Sequence, residues 1–125
     1  MQGWIESVME KYTLQLATTG RKTGLKRVTT IWFDILDGRL YVSSGRGEGS
    51  DWVKNIKKYP RVEITVGGVT KQGIAKIVPD SHIKQSLRDL YWKKYHILMA
   101  FAEVGKILMR IPLNASIPVL IEIPT

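Results

Sequence analysis

Asp37-Gly38 lies between two runs suited to strands and leaves them one simple way to meet. Asp-Gly accepts positive φ at both central positions of a type I′ turn, whose twist matches that of the strands it joins. Before it, residues 27–36 are rich in β-branched and aromatic side chains. Ile31, Phe33 and Ile35 share one face there, and Thr30, Trp32 and Asp34 the other. After it, residues 39–44 complete an antiparallel hairpin. A sheet with its own two-residue period is therefore nucleated near the first third of the chain.

Other segments repeat that period. Tyr12, Leu14 and Leu16 alternate with Thr13, Gln15 and Ala17, and Val62, Ile64 and Val66 alternate with Arg61, Glu63 and Thr65. Gly67-Gly68 turns the latter run back into residues 69–78, where Gly73 suggests a bulge. Ile117, Val119, Ile121 and Ile123 form a last strand, with Pro118 arguing for an edge or an irregular start. Helical spacing enters at four places. Trp4, Ile5, Val8 and Met9 share one face of residues 1–10, and Ser50 with Asp51 can cap a short helix that Pro60 ends. Asp80 and Ser81 introduce a helix with Ile83, Leu87, Leu90 and Tyr91 on one side, and the apolar residues 97–109 continue as a second helical piece before Pro112. The expected architecture is mainly β (α+β): a single domain over residues 1–125, a six-stranded antiparallel barrel with peripheral helices. Closing the sheet hides its edges.

Composition narrows the chemistry. The 125 residues contain no cysteine, which removes disulfides, thiolate catalysis and thiolate-bound metal. His82 and His96 are the only histidines and no carboxylate cluster accompanies them, so no metal site is expected. Redox chemistry would need a bound organic cofactor. Residues 1–11 include Glu6 and Glu10 and lack the basic-then-apolar order of a secretory signal, which points to a cytoplasmic protein. Residues 97–109 are too short and too broken by Glu103, Gly105 and Lys106 to span a bilayer, although they or the Trp4 helix could touch a membrane surface.

Nineteen Lys and Arg against eleven Asp and Glu give a net charge of +8. Part of the excess is local: Arg21, Lys22, Lys26 and Arg27 crowd a loop that holds Gly20 and Gly24 and no acid. Such a loop can gather amides and cations around phosphate or carboxylate oxygens; equally, it can be a solvated basic hairpin. It is not a P-loop, since Leu25 stands where a lysine would be required. Ser43, Ser44, Gly45, Arg46 and Gly47 offer hydroxyls, amides and a cation as a second lip for an anion, or are simply a surface turn. Trp52 and Asn55, three residues apart, share one helical face. Core packing is the default for Trp52, while Asn55 could bind backbone or cofactor. Trp92, Tyr95, Met99 and Phe101 suit a seal on the barrel or a subunit interface better than a reaction centre.

The run Ala17-Thr18-Thr19-Gly20-Arg21-Lys22-Thr23-Gly24, then Arg27, the Asp37-Gly38 hairpin, Asp51-Trp52-Val53-Lys54-Asn55-Ile56 with Pro60-Arg61-Val62, and the ending Ile117-Pro118-Val119-Leu120-Ile121-Glu122 resemble the deazaflavin-dependent nitroreductase family. The resemblance covers nearly the whole chain from about Leu14. It implies a split β-barrel related to the FMN-binding pyridoxamine-phosphate oxidases, and an oxidoreductase that uses reduced coenzyme F420, the deazaflavin, to reduce a quinone, nitro or other unsaturated acceptor. By the same resemblance Arg21, Lys22 and Arg27 would hold the coenzyme's phosphate and acidic tail, with Thr23 in the same loop. Thr29 and Thr30 would lie beside its ring, Ser43 and Ser44 with Gly45, Arg46 and Gly47 would meet ring or phosphate, and Trp52 and Asn55 would support the site from the short helix. A homodimer is implied, since such barrels often complete their sites across subunits.

Thr30 replaces a proline common in the family pattern, and the loop from Gly45 to Asp51 is short, which keeps an FMN-binding reductase or oxidase open as an alternative. A basic barrel for single-stranded nucleic acid, with Arg21 to Arg27 on phosphates and Trp32 or Tyr41 stacking on bases, is the alternative of a different class. Catalytic residues are not assigned. Tyr12, Tyr41 and Tyr95 are candidate proton donors, beside solvent.

Overall fold

A computed structural model describes residues 11–44, 49–108 and 117–124, and for residues 96–108 only the backbone. The expected helix over residues 1–10 lies outside the described residues. Six strands form a closed antiparallel barrel: β1 (Thr13–Thr19), β2 (Lys26–Leu36), β3 (Arg39–Ser44), β4 (Arg61–Val66), β5 (Val69–Ile77) and β6 (Ile117–Glu122), ordered β1-β2-β3-β6-β5-β4 around the wall. Helix α1 (Asp51–Lys58) follows β3, and α2 (Ser81–Leu108) precedes β6. The six-stranded antiparallel barrel with peripheral helices expected from the alternation is what forms.

Period-two burial builds the interior. Leu14, Leu16, Phe33, Leu40, Val42, Val62, Ile64, Val66, Val119 and Ile121 are each at most 3% exposed and form one cluster. Tyr12, which shares their parity on β1, is 59% exposed because it precedes the strand. At the β2–β3 turn both Asp37 (φ 53°) and Gly38 (φ 74°) take positive φ, as a type I′ turn requires.

Two expectations are corrected here. Gly73 is no bulge: it pairs with Val62 in an unbroken register. Its role is close approach, since a Cβ there would come within 2.9 Å of Ile121 Cγ2 and 3.0 Å of the Glu122 carbonyl oxygen. Gly73→Ala should therefore destabilise the barrel by about 1–3 kcal/mol, the range for overpacking. Thermal unfolding checks this, and an unchanged midpoint would mean that β6 has room to withdraw. Pro118 does not mark an edge either. It pairs with Ser43 inside the closed wall, and its carbonyl accepts from the Val78 N–H at 3.0 Å.

Helix α2 begins at the cap provided by Asp80, whose Oδ1 accepts from the amides of His82 (2.8 Å) and Ile83 (3.2 Å). Its first half lies on the outside of the barrel, where Leu87, Tyr91 and Tyr95 pack with Tyr41 and Leu120. Trp32 stacks on Tyr95 at 4.5 Å between ring centroids and 5° between planes. The Tyr95 hydroxyl donates toward the carbonyls of Phe33, at 2.9 Å, and Tyr12. At Tyr95 the backbone leaves helical values (φ −125°, ψ 29°), so α2 is two helical pieces joined at a kink. The expected break before the apolar segment is thus observed. The side chains of Met99 and Phe101 lie outside those described.

What positions the candidate site is β2. Its residues Lys26–Trp32 pair with β1, whereas Phe33–Leu36 pair with β3. Over its first half the β2 edge turned away from β1 has no strand partner among the described residues, and the wall opens there beside α1. The helix closes that end of the barrel with Val53 and Ile56 buried and Trp52 packed against the core.

Candidate functional site

The loop between β1 and β2 is closed on itself before any ligand is considered. The Gly20 amide donates to the Leu25 carbonyl and the Gly24 amide to the Gly20 carbonyl, each at 2.8 Å, and Thr23 Oγ1 accepts from the Leu25 amide at 3.2 Å. Gly24 has φ +72°, a conformation that side chains with Cβ rarely adopt. Nothing but hydrogen could fit on Gly20 without a shift, since a Cβ would lie 2.9 Å from Thr23 Oγ1 and 3.1 Å from the Leu25 carbonyl oxygen. The two glycines therefore set the loop's shape.

Asn55 fastens that loop to α1. It is 4% exposed. Its Oδ1 accepts from the Arg21 amide (3.1 Å) and from Arg21 Nη1 (2.9 Å), while its Nδ2 donates to Thr18 Oγ1 at 3.2 Å. One buried amide thus ties β1, the loop and the helix, using both its acceptor and its donor. Arg21 is held further: Nη2 meets Asp51 Oδ1 at 3.3 Å, Nη1 reaches the Asp51 carbonyl at 3.4 Å, and Lys58 Nζ donates to the Arg21 carbonyl at 3.1 Å. Arg21, expected with Lys22 and Arg27 to hold anionic groups, also ties the loop to the helix.

Between loop, helix and the open edge of β2 lies a cavity of about 710 Å³, within the roughly 300–1,000 Å³ typical of small-molecule sites. Of the expected site residues, Arg21, Lys22, Thr23, Arg27, Thr29, Trp52 and Asn55 line it. Thr30 does not; it is exposed one residue further along β2. Ser43 points outward beneath α2, on the side of Tyr91. Ser44 is buried, and its hydroxyl is hydrogen-bonded to that of Ser50. Gly45, Arg46 and Gly47 lie outside the described residues. Ser50 is the residue preceding α1 but makes no side-chain cap, because its hydroxyl is engaged by Ser44.

The cavity also gathers residues that the sequence does not by itself assign to the site. Thr18, Val28, Ser50 and Asp51 line it. Thr18 could have been found from its parity with Leu14 and Leu16, and Asp51 as an acid that the fold returns to a cationic loop. Lys26, counted with the basic loop, is spent elsewhere, on Glu63 at 2.8 Å, and that pairing together with Gln72 lowers the Glu63 carboxyl's pKa. Among the described residues neither Lys22 nor Arg27 has an ion-pair partner, and both are exposed at the mouth.

The other shifted groups belong to the opposite side of β2. Burial raises the Asp34 carboxyl and the Tyr91 and Tyr95 hydroxyls, and lowers the Lys94 ammonium. Lys94 Nζ donates to the Phe33 carbonyl at 3.3 Å and sits 4.2 Å from the Phe33 ring centroid. These groups seal α2 onto the wall. Tyr12, Tyr41 and Tyr95, the candidate proton donors, do not line the cavity. Trp32 and Tyr41, offered for base stacking, are engaged under α2, and Tyr41 is 3% exposed. His82 is exposed at the start of α2, and no cluster of potential metal ligands occurs among the described residues. No helix of the described residues is long and apolar enough to cross a membrane.

Residues 3–104 match the family described as F420H(2)-dependent quinone reductase. Among solved structures, a conserved hypothetical protein from Mycobacterium tuberculosis superposes with TM-score 0.75 at 20% identity, over 100% of this chain and 81% of that one. A protein from Listeria innocua named for pyridoxamine 5′-phosphate oxidase gives TM-score 0.70 at 16% identity, over 99% and 94%. A structure titled F420 reductase gives 0.63 at 20% identity, over 96% and 93%. At these identities the superpositions establish a shared split barrel.

Proposed function

This chain belongs to the F420H(2)-dependent quinone reductase family and is a deazaflavin-dependent oxidoreductase, and from that premise we propose that the cavity beside α1 is where coenzyme F420 binds and a small quinone or nitro compound is reduced. The observation that carries the assignment to this cavity is its charge and build: two cations without an ion-pair partner among the described residues, Lys22 and Arg27, at the mouth of a cavity whose walls are fixed by Asn55. The residues fit the group. Cations suit the acidic end of the coenzyme, the hydroxyls of Thr23 and Thr29 suit its polar edge, and the Trp52 indole and Val28 offer apolar surface for a flat ring.

When bound, the reduced deazaflavin supplies the hydride. The protein's share is position and environment. Lys22 and Arg27 hold the anionic groups, Arg21 and Asn55 keep the loop from moving, and Trp52 with Val28 excludes water from part of the cavity. The one carboxylate among the described lining residues, Asp51, is paired with Arg21, so the acceptor takes its proton from solvent. A homodimer closing over Leu25 and Val28, exposed at 60% and 58% beside the mouth, belongs to the same reading, as does a cytoplasmic location. Sedimentation reads the dimer.

The test is turnover. Mixed with reduced coenzyme and a soluble quinone or nitroaromatic, the enzyme should oxidise the coenzyme at a rate proportional to protein. Equal rates with and without protein across both acceptor classes would reject these acceptors. Oxidation supported by FMN and not by F420 would reassign the cofactor.

A further inference from the structure

We propose that Asp51 is the charge-selecting residue of this cavity: paired with Arg21, it sets how strongly the site attracts a multiply charged anion. The inference rests on the reading that the cavity takes an anionic ligand. Among the described lining residues three are cations, Arg21, Lys22 and Arg27, and one is a carboxylate, Asp51, so their formal charge is +2 where +3 would otherwise stand.

The geometry distinguishes the partners of that pair. The Arg21 side chain is 25% exposed and fixed by Asn55 Oδ1 at 2.9 Å, whereas the Asp51 side chain is 85% exposed and contacts Nη2 at 3.3 Å. The cation is therefore held from a second side, whereas its counter-ion side chain is exposed. An incoming phosphate oxygen competes with Asp51 for the same Nη2 donor and, as it approaches, meets the repulsion of the carboxylate. A ligand without charge meets neither effect. Asp51 thus reduces affinity for charge while leaving the apolar contacts at Trp52 untouched.

The measurement is calorimetric titration of wild type and Asp51→Asn with three probes: inorganic pyrophosphate, coenzyme F420, and the neutral deazaflavin nucleus lacking phosphate. Asn keeps the size and an acceptor oxygen for Arg21 but not the charge. Pyrophosphate and the coenzyme should bind the variant three- to tenfold more tightly, with the gain shrinking as salt is raised, and the neutral nucleus should change by less than twofold. Equal or weaker anion binding in the variant, parallel changes in all three probes, or no pyrophosphate binding to either protein would overturn the proposal. If pyrophosphate behaves as expected but neither deazaflavin probe binds, the coenzyme assignment falls and the role of Asp51 stands.

Discussion

Replacing Lys22 and Arg27 together by alanine should weaken coenzyme binding about a hundredfold and leave the unfolding midpoint nearly unchanged. Charge-assisted hydrogen bonds contribute about 1.5–3 kcal/mol each, and solvent at an exposed mouth lowers that. Two lost contacts at the reduced end of the range amount to roughly two orders of magnitude in Kd. Stability is spared because both side chains are exposed and neither has an ion-pair partner among the described residues. The contrast with Arg21 is informative. Arg21→Ala removes the latch to Asn55 and Asp51, so it should lower stability as well as affinity. Equal behaviour of Arg21→Ala and the Lys22/Arg27 double variant in both titration and melting would remove the distinction drawn between latch and ligand.

Asn55→Ala should be the most damaging single change near the cavity. It deletes the acceptor for two half-buried Arg21 donors and the buried donor to Thr18. Leaving buried polar groups unpaired costs about 1–3 kcal/mol each. A total near 3 kcal/mol would lower the midpoint of a domain this size by roughly 10 °C. Coenzyme affinity should fall with it, since residues 20–25 lose their anchor on α1. Asn55→Asp keeps both acceptor contacts to Arg21 and can accept from the Thr18 hydroxyl, so it should recover much of the loss. An alanine variant that melts like wild type would show that the loop is held by its own internal hydrogen bonds.

Much of this fold is legible in the chain because its signals are local. Asp37-Gly38 carries its own turn geometry, and the period-two pattern of β1 and β4 needs no partner to be recognised. Features that depend on a distant neighbour are less so. A glycine within a strand can mean a bulge or a close approach, and Gly73 is the latter only because Ile121 and Glu122 pass over it. Pro118 suggests an edge until β3 and β5 are seen on either side of β6. The same holds at the cavity. The sequence displays a crowd of cations, but Asp51 and Asn55, 30 and 34 positions after Arg21, decide which of them is already paired. Ser50 could not be separated from an ordinary helix cap without Ser44 beside it.

The location of the coenzyme is the central claim, and an amide and indole correlation spectrum of the labelled 14.2 kDa chain, titrated with coenzyme F420, tests it most directly. Shifts should concentrate in residues 18–29 and 49–55 and in the indole N–H of Trp52, while the indole of Trp32, stacked beneath α2, stays in place. Shifts centred on α2 and the outer faces of β2 and β3, with residues 20–25 unmoved, would contradict the account.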